Sequence, residues 1–245
     1  MLALASLTHI TTLYAQQGGD RSGFRTSLGA GMAIKNNIRV GNIDEDLNND
    51  PIYTPVPFAS FAWGPVQLSG RGLNFAFYNT PVFSASLILS RFGDKYKADG
   101  MATRKAGFFA GAGVRIFGLS VNFKKDIDND SRGTILDFSW NQRLPPLFKT
   151  SIFPALRIGA EYWSQKLLSY HFGVRPSEVT ATRPLYNPTG GWAYILGLNF
   201  IIKHTDTITT MIGPNFKYYG KQVDDSPTVA KNEELSLFFA TFFTF

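Results

Sequence analysis

The last twelve residues, Glu234-Leu-Ser-Leu-Phe-Phe-Ala-Thr-Phe-Phe-Thr-Phe245, form an alternating strand that closes on an aromatic. One register, Leu235, Leu237, Phe239, Thr241, Phe243 and Phe245, places five apolar groups on a single face. In water such a strand at the very end of a chain is an aggregation template, because its apolar face and one edge are uncovered. A closed barrel in lipid removes both problems. The apolar face meets acyl chains and the last strand pairs with the first. The terminus therefore predicts an all-β, transmembrane, antiparallel up-and-down β-barrel.

Composition agrees with this and excludes the helical alternative. Only 17% of residues are charged while 44% are hydrophobic, less charge than a soluble surface carries. Aromatics (22 Phe, 10 Tyr, 4 Trp) and 23 Gly take its place, bulky groups for a lipid face and small ones for a lumen face. No apolar run approaches the ~18–20 residues of a membrane helix; the longest candidate, Ile195 to Ile202, is broken by Asn199. The net charge of +6 comes from scattered Lys and Arg with no basic run, so nucleic acid is not a predicted partner. Cysteine is absent, which suits an envelope protein without disulfides but discriminates weakly.

Residues 1–15 are apolar and small and end at Ala15, which reads as a truncated secretory signal peptide without its basic region. Residues 16–245 are the predicted barrel. Within them, period-two segments alternate with turn chemistry. Phe24–Ile34 opens the series, with Arg25, Ser27, Gly29, Gly31 and Ala33 on the small or polar face. Ile52–Trp63, Val66–Tyr78, Val82–Arg91, Ala106–Phe117, Leu119–Asp126, Thr134–Arg143, Ser151–Trp163, Trp192–Lys203, Thr207–Tyr218 and Glu234–Phe245 follow. Turn signals such as Gly64-Pro65, Asn79-Thr80-Pro81, Gly118 and Pro145-Pro146 separate them. Single-chain bacterial barrels have an even number of strands, and these segments are odd in number. The Ser69-Gly-Arg-Gly72 centre of Val66–Tyr78 is the natural place for one more hairpin. About twelve strands are expected, with ten as the alternative.

Five aromatics are expected at the membrane interfaces: Trp140 at one level, and Trp163, Trp192, Tyr218 and Tyr219 at the other. The C-terminal assembly strand contributes Leu235, Leu237, Phe239, Phe243 and Phe245 to the lipid face. Opposite the lipid faces lie Arg25, Lys35, Arg115, Arg157, Glu161, Asn199 and Lys217, which suit internal ion pairs or a wet lumen. The connection Ser164–Gly191 is long for a hairpin and rich in Tyr, Phe and Pro. Such loops fold on themselves or carry function. Folded inward, it would cap the lumen and gather Arg175, Glu178 and Arg183 into an ion cluster at the mouth, beside Arg157 and Glu161 on the wall.

Two chemical readings can be weighed. Asp126-Ile-Asp-Asn-Asp130 has the one-residue spacing of calcium-loop carboxylates, but Ser131 replaces the usual glycine and Asp137 the bidentate Glu. A solvated hairpin explains the same residues, and no metal or cofactor is assigned. His171 has Ser169, Ser177 and Glu178 close in sequence, yet there is no Gly-x-Ser-x-Gly elbow. No catalytic residue is assigned.

From Tyr162 onward the chain resembles the MipA/OmpV family of outer-membrane proteins. The resemblance rests on Tyr162-Trp163, Tyr170-His-Phe-Gly-Val174, Ser177-Glu178, Arg183-Pro-Leu-Tyr-Asn-Pro188 and Tyr218-Tyr-Gly-Lys-Gln-Val-Asp-Asp-Ser-Pro227, then the terminal aromatic strand. The N-terminal half is similar more loosely, through Ser27–Met32, Ile52-Tyr-Thr-Pro-Val-Pro57 and Arg71-Gly72-Leu73. The resemblance implies a Gram-negative outer-membrane location and a non-enzymatic role as an envelope scaffold. It further implies periplasmic partners such as a murein synthase or a lytic transglycosylase, and outer-membrane lipid as surroundings. It supplies no catalytic residues. A narrow pore for small solutes and an outer-membrane lipid-modifying hydrolase are the alternatives.

Overall fold

The computed structural model describes residues 23–43, 45–70 and 72–245, so the expected signal segment 1–15 lies outside the described residues. Twelve strands form one closed antiparallel barrel, each paired with its neighbours in sequence, and β12 returns to β1. They are β1 (Phe24–Lys35), β2 (Ile52–Trp63), β3 (Val66–Ser69), β4 (Gly72–Asn79), β5 (Phe83–Phe92) and β6 (Gly107–Ile116). The second half holds β7 (Leu119–Asp126), β8 (Thr134–Arg143), β9 (Ile152–Trp163), β10 (Gly191–Lys203), β11 (Ile208–Tyr219) and β12 (Glu233–Thr244). The segment Val66–Tyr78 does divide at Ser69–Gly72, which restores even parity.

Closure is set by the β1–β12 seam, where Leu28 faces Phe243, Gly29 faces Phe242 and Gly31 faces Ala240. Leu235, Leu237, Phe239, Phe243 and Phe245 are all exposed on the outer surface, and Phe238, Ala240 and Phe242 are buried inside. Period-two alternation thus sorts the terminal strand as the bilayer requires. With the strand ends nearest the chain termini taken as periplasmic, the long connections 36–51, 93–106, 127–133, 164–190 and 220–232 are external. The short turns 64–65, 80–82, 117–118, 144–151 and 204–207 are periplasmic.

The lumen is filled in layers. Towards the periplasm, Val56, Ala155, Ile201, Met211, Phe238 and Phe242 form a buried apolar cluster, with Phe58 stacked on Phe242 at 4.6 Å. Above it lies a polar belt containing Asp137, Arg157, Glu161 and Asn199. At the outer mouth a second apolar cluster joins strand residues Phe109, Ile135, Trp163 and Tyr219 to loop residues Leu167, Leu168 and Phe172. The loop residues of that cluster come from a helix, Gln165–Phe172. Its Leu167, Leu168, His171 and Phe172 are buried at i, i+1, i+4 and i+5, one face of a helix turned into the barrel.

Candidate functional site

The external cap is built by three connections that meet over the mouth. The 164–190 loop contributes the helix and then Glu178, which is 3% exposed. The 93–106 loop contributes Arg104, 0% exposed, whose Nη2 donates to Glu178 Oε2 at 2.7 Å. The same carboxylate accepts from the backbone N–H groups of Ala102 (3.0 Å) and Arg175 (3.0 Å). Burial pushes the Glu178 carboxyl upward, but the hydrogen bonds from Arg104, Arg175 and Ala102 overcome this and hold it below the usual range. The third connection, 36–51, places the Arg39 guanidinium 4.0 Å from the Phe172 ring centre and 4.7 Å from that of Tyr96. Burial lowers Arg39 to about 10, so it stays charged at neutral pH.

The expected ion cluster at the mouth is therefore corrected. Glu178 is buried there, but its charge partner is Arg104, from a loop far away in sequence. Arg175 offers its backbone N–H while its side chain is exposed, and Arg183 donates to the backbone carbonyls of Glu178 and Asp99, both at 2.9 Å. The physical reason is desolvation. A buried carboxylate takes whichever cation can be buried with it, and Arg104 is fully enclosed.

In the polar belt Arg157 and Glu161 face inward from β9. Glu161 Oε2 receives Lys217 Nζ at 2.9 Å and the Trp163 indole N–H at 3.2 Å. Arg157 lies 3.9 Å from Asp137, whose other oxygen accepts from Asn122 at 2.7 Å. Lys35 bridges Asp94 (3.0 Å) and Glu234 (3.5 Å). Opposite charges neutralise each other across this layer, which lets it stay inside a narrow barrel.

The aromatic placement is also corrected in part. Trp163 is 4% exposed and Tyr219 is 5% exposed, both inside the mouth. Trp163 packs on Phe92, Phe172 and Tyr219. Strand parity explains this, since Trp163 shares its face with Arg157 and Glu161. Trp192 and Tyr218 point outward, as their parity requires, and Trp140 lies on the outer face near the periplasmic end. Two outward aromatics missing from the sequence reading are Tyr53 and Trp63, at opposite ends of β2. Their position at either end of one alternating segment was the available signal.

Neither chemical candidate assembles. The Asp126 carboxylate is taken up by its own loop, accepting from the N–H groups of Asp128, Ser131 and Arg132 and from the Ser131 hydroxyl. The His171 ring is buried against Phe92 and Tyr170. The Ser169 hydroxyl instead meets Asn187 at 2.9 Å, and Glu178 is held by Arg104.

Burial, reinforced by the nearby positive charge of Arg39, pushes the His171 imidazole down to about 3 from 6.5. Its pH consequence has a definite sign. Between those two values the unfolded loop binds a proton and the folded cap does not, so stability falls as pH drops below 6.5 and levels off near 3. Opening of the cap, read as cleavage in the 164–190 loop by an acid-stable protease, is expected to rise as pH falls from 7 to 4. A His171→Phe variant should flatten that rise; an equally steep profile in the variant would refute the assignment.

At the opposite end, two periplasmic turns carry aromatics in left-handed backbone conformations. Phe117 (φ 46°) is 76% exposed and Phe148 (φ 47°) is 95% exposed. A hydrogen bond from the Asn141 N–H to the Gly118 carbonyl, 3.2 Å, ties the base of β8 to the Phe117 turn. Bulky residues seldom adopt positive φ, and such strain is found most often at functional sites.

The chain is similar to several known proteins. A curated relative, the 24 kDa outer membrane protein of Pasteurella multocida (strain Pm70), is 25% identical over 230 residues, covering 86% of this chain and 89% of its own. Among solved structures, Neisserial surface protein A aligns over 91% of this chain and 98% of its own at 14% identity and TM-score 0.31. OprG of Pseudomonas aeruginosa aligns over 93% and 98% at 8% identity and TM-score 0.26. The sequence model of one family, MltA-interacting protein MipA, matches residues 28–245. With nearly the whole barrel inside that match, this chain belongs to the MipA family and is a β-barrel protein of the outer membrane.

Proposed function

We propose that this barrel is a non-enzymatic scaffold of the cell envelope, holding a periplasmic murein synthase or lytic transglycosylase against the inner surface of the outer membrane. The observation that carries the reading is the pair of strained, exposed aromatics at the periplasmic rim, Phe117 and Phe148. Aromatic side chains supply much of the binding energy at protein interfaces. A rigid barrel that displays them raises the local concentration of anything they hold. The family's description, MltA-interacting protein, supports a murein-related partner. Trp140, Trp192 and Tyr218 would fix the height of the barrel in the bilayer, and residues 1–15 would serve its export.

The test is capture of murein synthases and lytic transglycosylases from periplasmic extract by the detergent-solubilised barrel. A Phe117→Ala/Phe148→Ala variant is expected to lose more than about tenfold in affinity, equivalent to ~1.4 kcal/mol. The heat-modifiable shift on gels that reports a folded barrel should be unchanged. Equal capture by both proteins would remove the two aromatics as the contact, and no capture by either would remove the scaffold reading. The layered lumen and helical cap favour this reading over the narrow pore, which steady conductance in planar bilayers would reinstate.

A further inference from the structure

The lipid-facing side of the wall is almost free of charge, and its cations are gathered in one place. Alternation fixes which positions of each strand point outward. Among the described residues, those positions carry three charged side chains, Arg91 on β5, Lys125 on β7 and Glu233 on β12. Arg91 precedes Phe92, which packs inside on Phe109 and Trp163, and Lys125 precedes the buried Asp126. Both cations therefore face lipid. They flank β6, whereas β12 lies on the opposite side of the twelve-stranded ring, so Glu233 cannot neutralise them.

Each is the next-to-last residue of a strand that ends at an external connection, which puts both at the outer rim of the wall. Arg91 faces Phe108 on β6, while Lys125 faces Ala110, whose other neighbour is Leu89. The two are thus two strands and two residues apart, roughly 12 Å between Cα atoms, and Phe108 stands exposed between them. Neither side chain makes a hydrogen bond or ion pair with a described residue. The acid in the loop above, Asp128, accepts from the Phe108 N–H at 2.7 Å and forms no ion pair with either. A cation turned towards lipid is costly at the midplane and tolerated only near an interface. Left unpaired there, it attracts an anionic headgroup.

Below the cations the wall changes relief. β6 turns two small residues outward, Ala110 and Ala112. Ala110 lies between Leu89 and Lys125, and Ala112 between Leu87 and Phe123. Leu87 and Phe123 are exposed. Larger side chains on both flanks of two alanines leave a shallow apolar trough one strand wide, running towards the midplane from beneath Phe108. The cations alone would suit any anion and the trough alone any lipid. Their succession along one strand selects an amphiphile that is anionic at its outer end.

We propose that the outer end of β5–β7 is a specific site for a phosphorylated glycolipid of the outer leaflet. A phosphate sits over Phe108 between Arg91 and Lys125, and one acyl chain lies in the trough of Ala110 and Ala112. The guanidinium offers paired N–H donors that match phosphate oxygens, and the ammonium adds a point charge. Position favours a lipid headgroup over free phosphate, because a water-borne ion would leave the trough below it unused. The site is independent of the periplasmic reading, since Phe117 and Phe148 lie at the other end of the barrel.

The test titrates the intact, detergent-solubilised barrel with lipid A and counts retained lipid by native mass spectrometry. The unaltered protein is expected to keep one lipid A, and an Arg91→Gln/Lys125→Gln variant to bind it more than about tenfold more weakly. A Lys166→Gln/Lys221→Gln control, which removes two exposed cations from the external loops, should bind as the native protein does. Dephosphorylated lipid A should be lost from the native protein as readily as lipid A is from the first variant. Equal retention by the first variant, an equal loss in the control, no retention by the native protein, or equal binding of the dephosphorylated lipid would each overturn the proposal. If the first variant lacks the heat-modifiable shift of a folded barrel, the comparison of the two lipids on the native protein decides alone.

Discussion

Replacing Glu178 with alanine is expected to destabilise the external cap by about 3–5 kcal/mol, because it leaves the fully enclosed Arg104 charge without its partner. The cost is that of the uncompensated charge, and so exceeds the net worth of the pair. It should appear as faster hydrogen exchange where Val174 and Tyr186 bridge the cap, the Val174 N–H to Tyr186 carbonyl bond being 2.8 Å. At about 1.4 kcal/mol per decade the opening constant should rise by roughly two to four orders of magnitude. The barrel strands should remain protected, since the cap is held by its own contacts. A double variant, Arg104→Met/Glu178→Leu, removes the unpaired charge and should recover part of the loss, the backbone N–H groups of Ala102 and Arg175 being left without the carboxylate that accepts from them. Exchange in the single variant as slow as in the native protein would show that the pair does not hold the cap.

The second large effect is expected at the seam. A Cβ added at Gly31 would meet the backbone carbonyl of Phe239 and the side chain of Ala240 on β12. Backbone cannot move aside as a side-chain end can, so Gly31→Val should cost more than the ~1–3 kcal/mol of ordinary overpacking. Because β1 and β12 join the two ends of the barrel, the whole closure bears that cost. The fraction migrating as the folded, heat-modifiable form should fall sharply. Ala30→Val, one residue away and exposed on the lipid side, is the control and should assemble normally. Normal assembly of Gly31→Val would mean that the seam tolerates a wider spacing.

Most of the wall could be read from residues alone, for a local reason. Whether a strand residue faces lipid or lumen depends on parity, and parity runs unbroken along each segment. Hence the lipid face of β12 and the inward Arg157, Glu161 and Lys217 are where alternation puts them. Even the hairpin inside Val66–Tyr78 was visible as two glycines and a parity deficit. Trp163 and Tyr219 obey the same rule and lie inside, although they stand at strand ends where interface aromatics are expected. Both share a face with charged lumen residues, Trp163 with Arg157 and Glu161 and Tyr219 with Lys217.

The alternation of apolar and small residues, with its turns, was enough to indicate a barrel wall of about twelve strands, ten being the alternative, with grease outside and polarity within, since the facing of each residue is settled by neighbours a few positions apart. The partner of each buried charge was beyond its reach. Arg104 and Glu178 are 74 positions apart, and their meeting depends on how three external loops fold over a mouth whose width is set by the whole barrel. The same holds for the helix Gln165–Phe172 over the mouth, whose buried face packs on residues from strands far away in sequence.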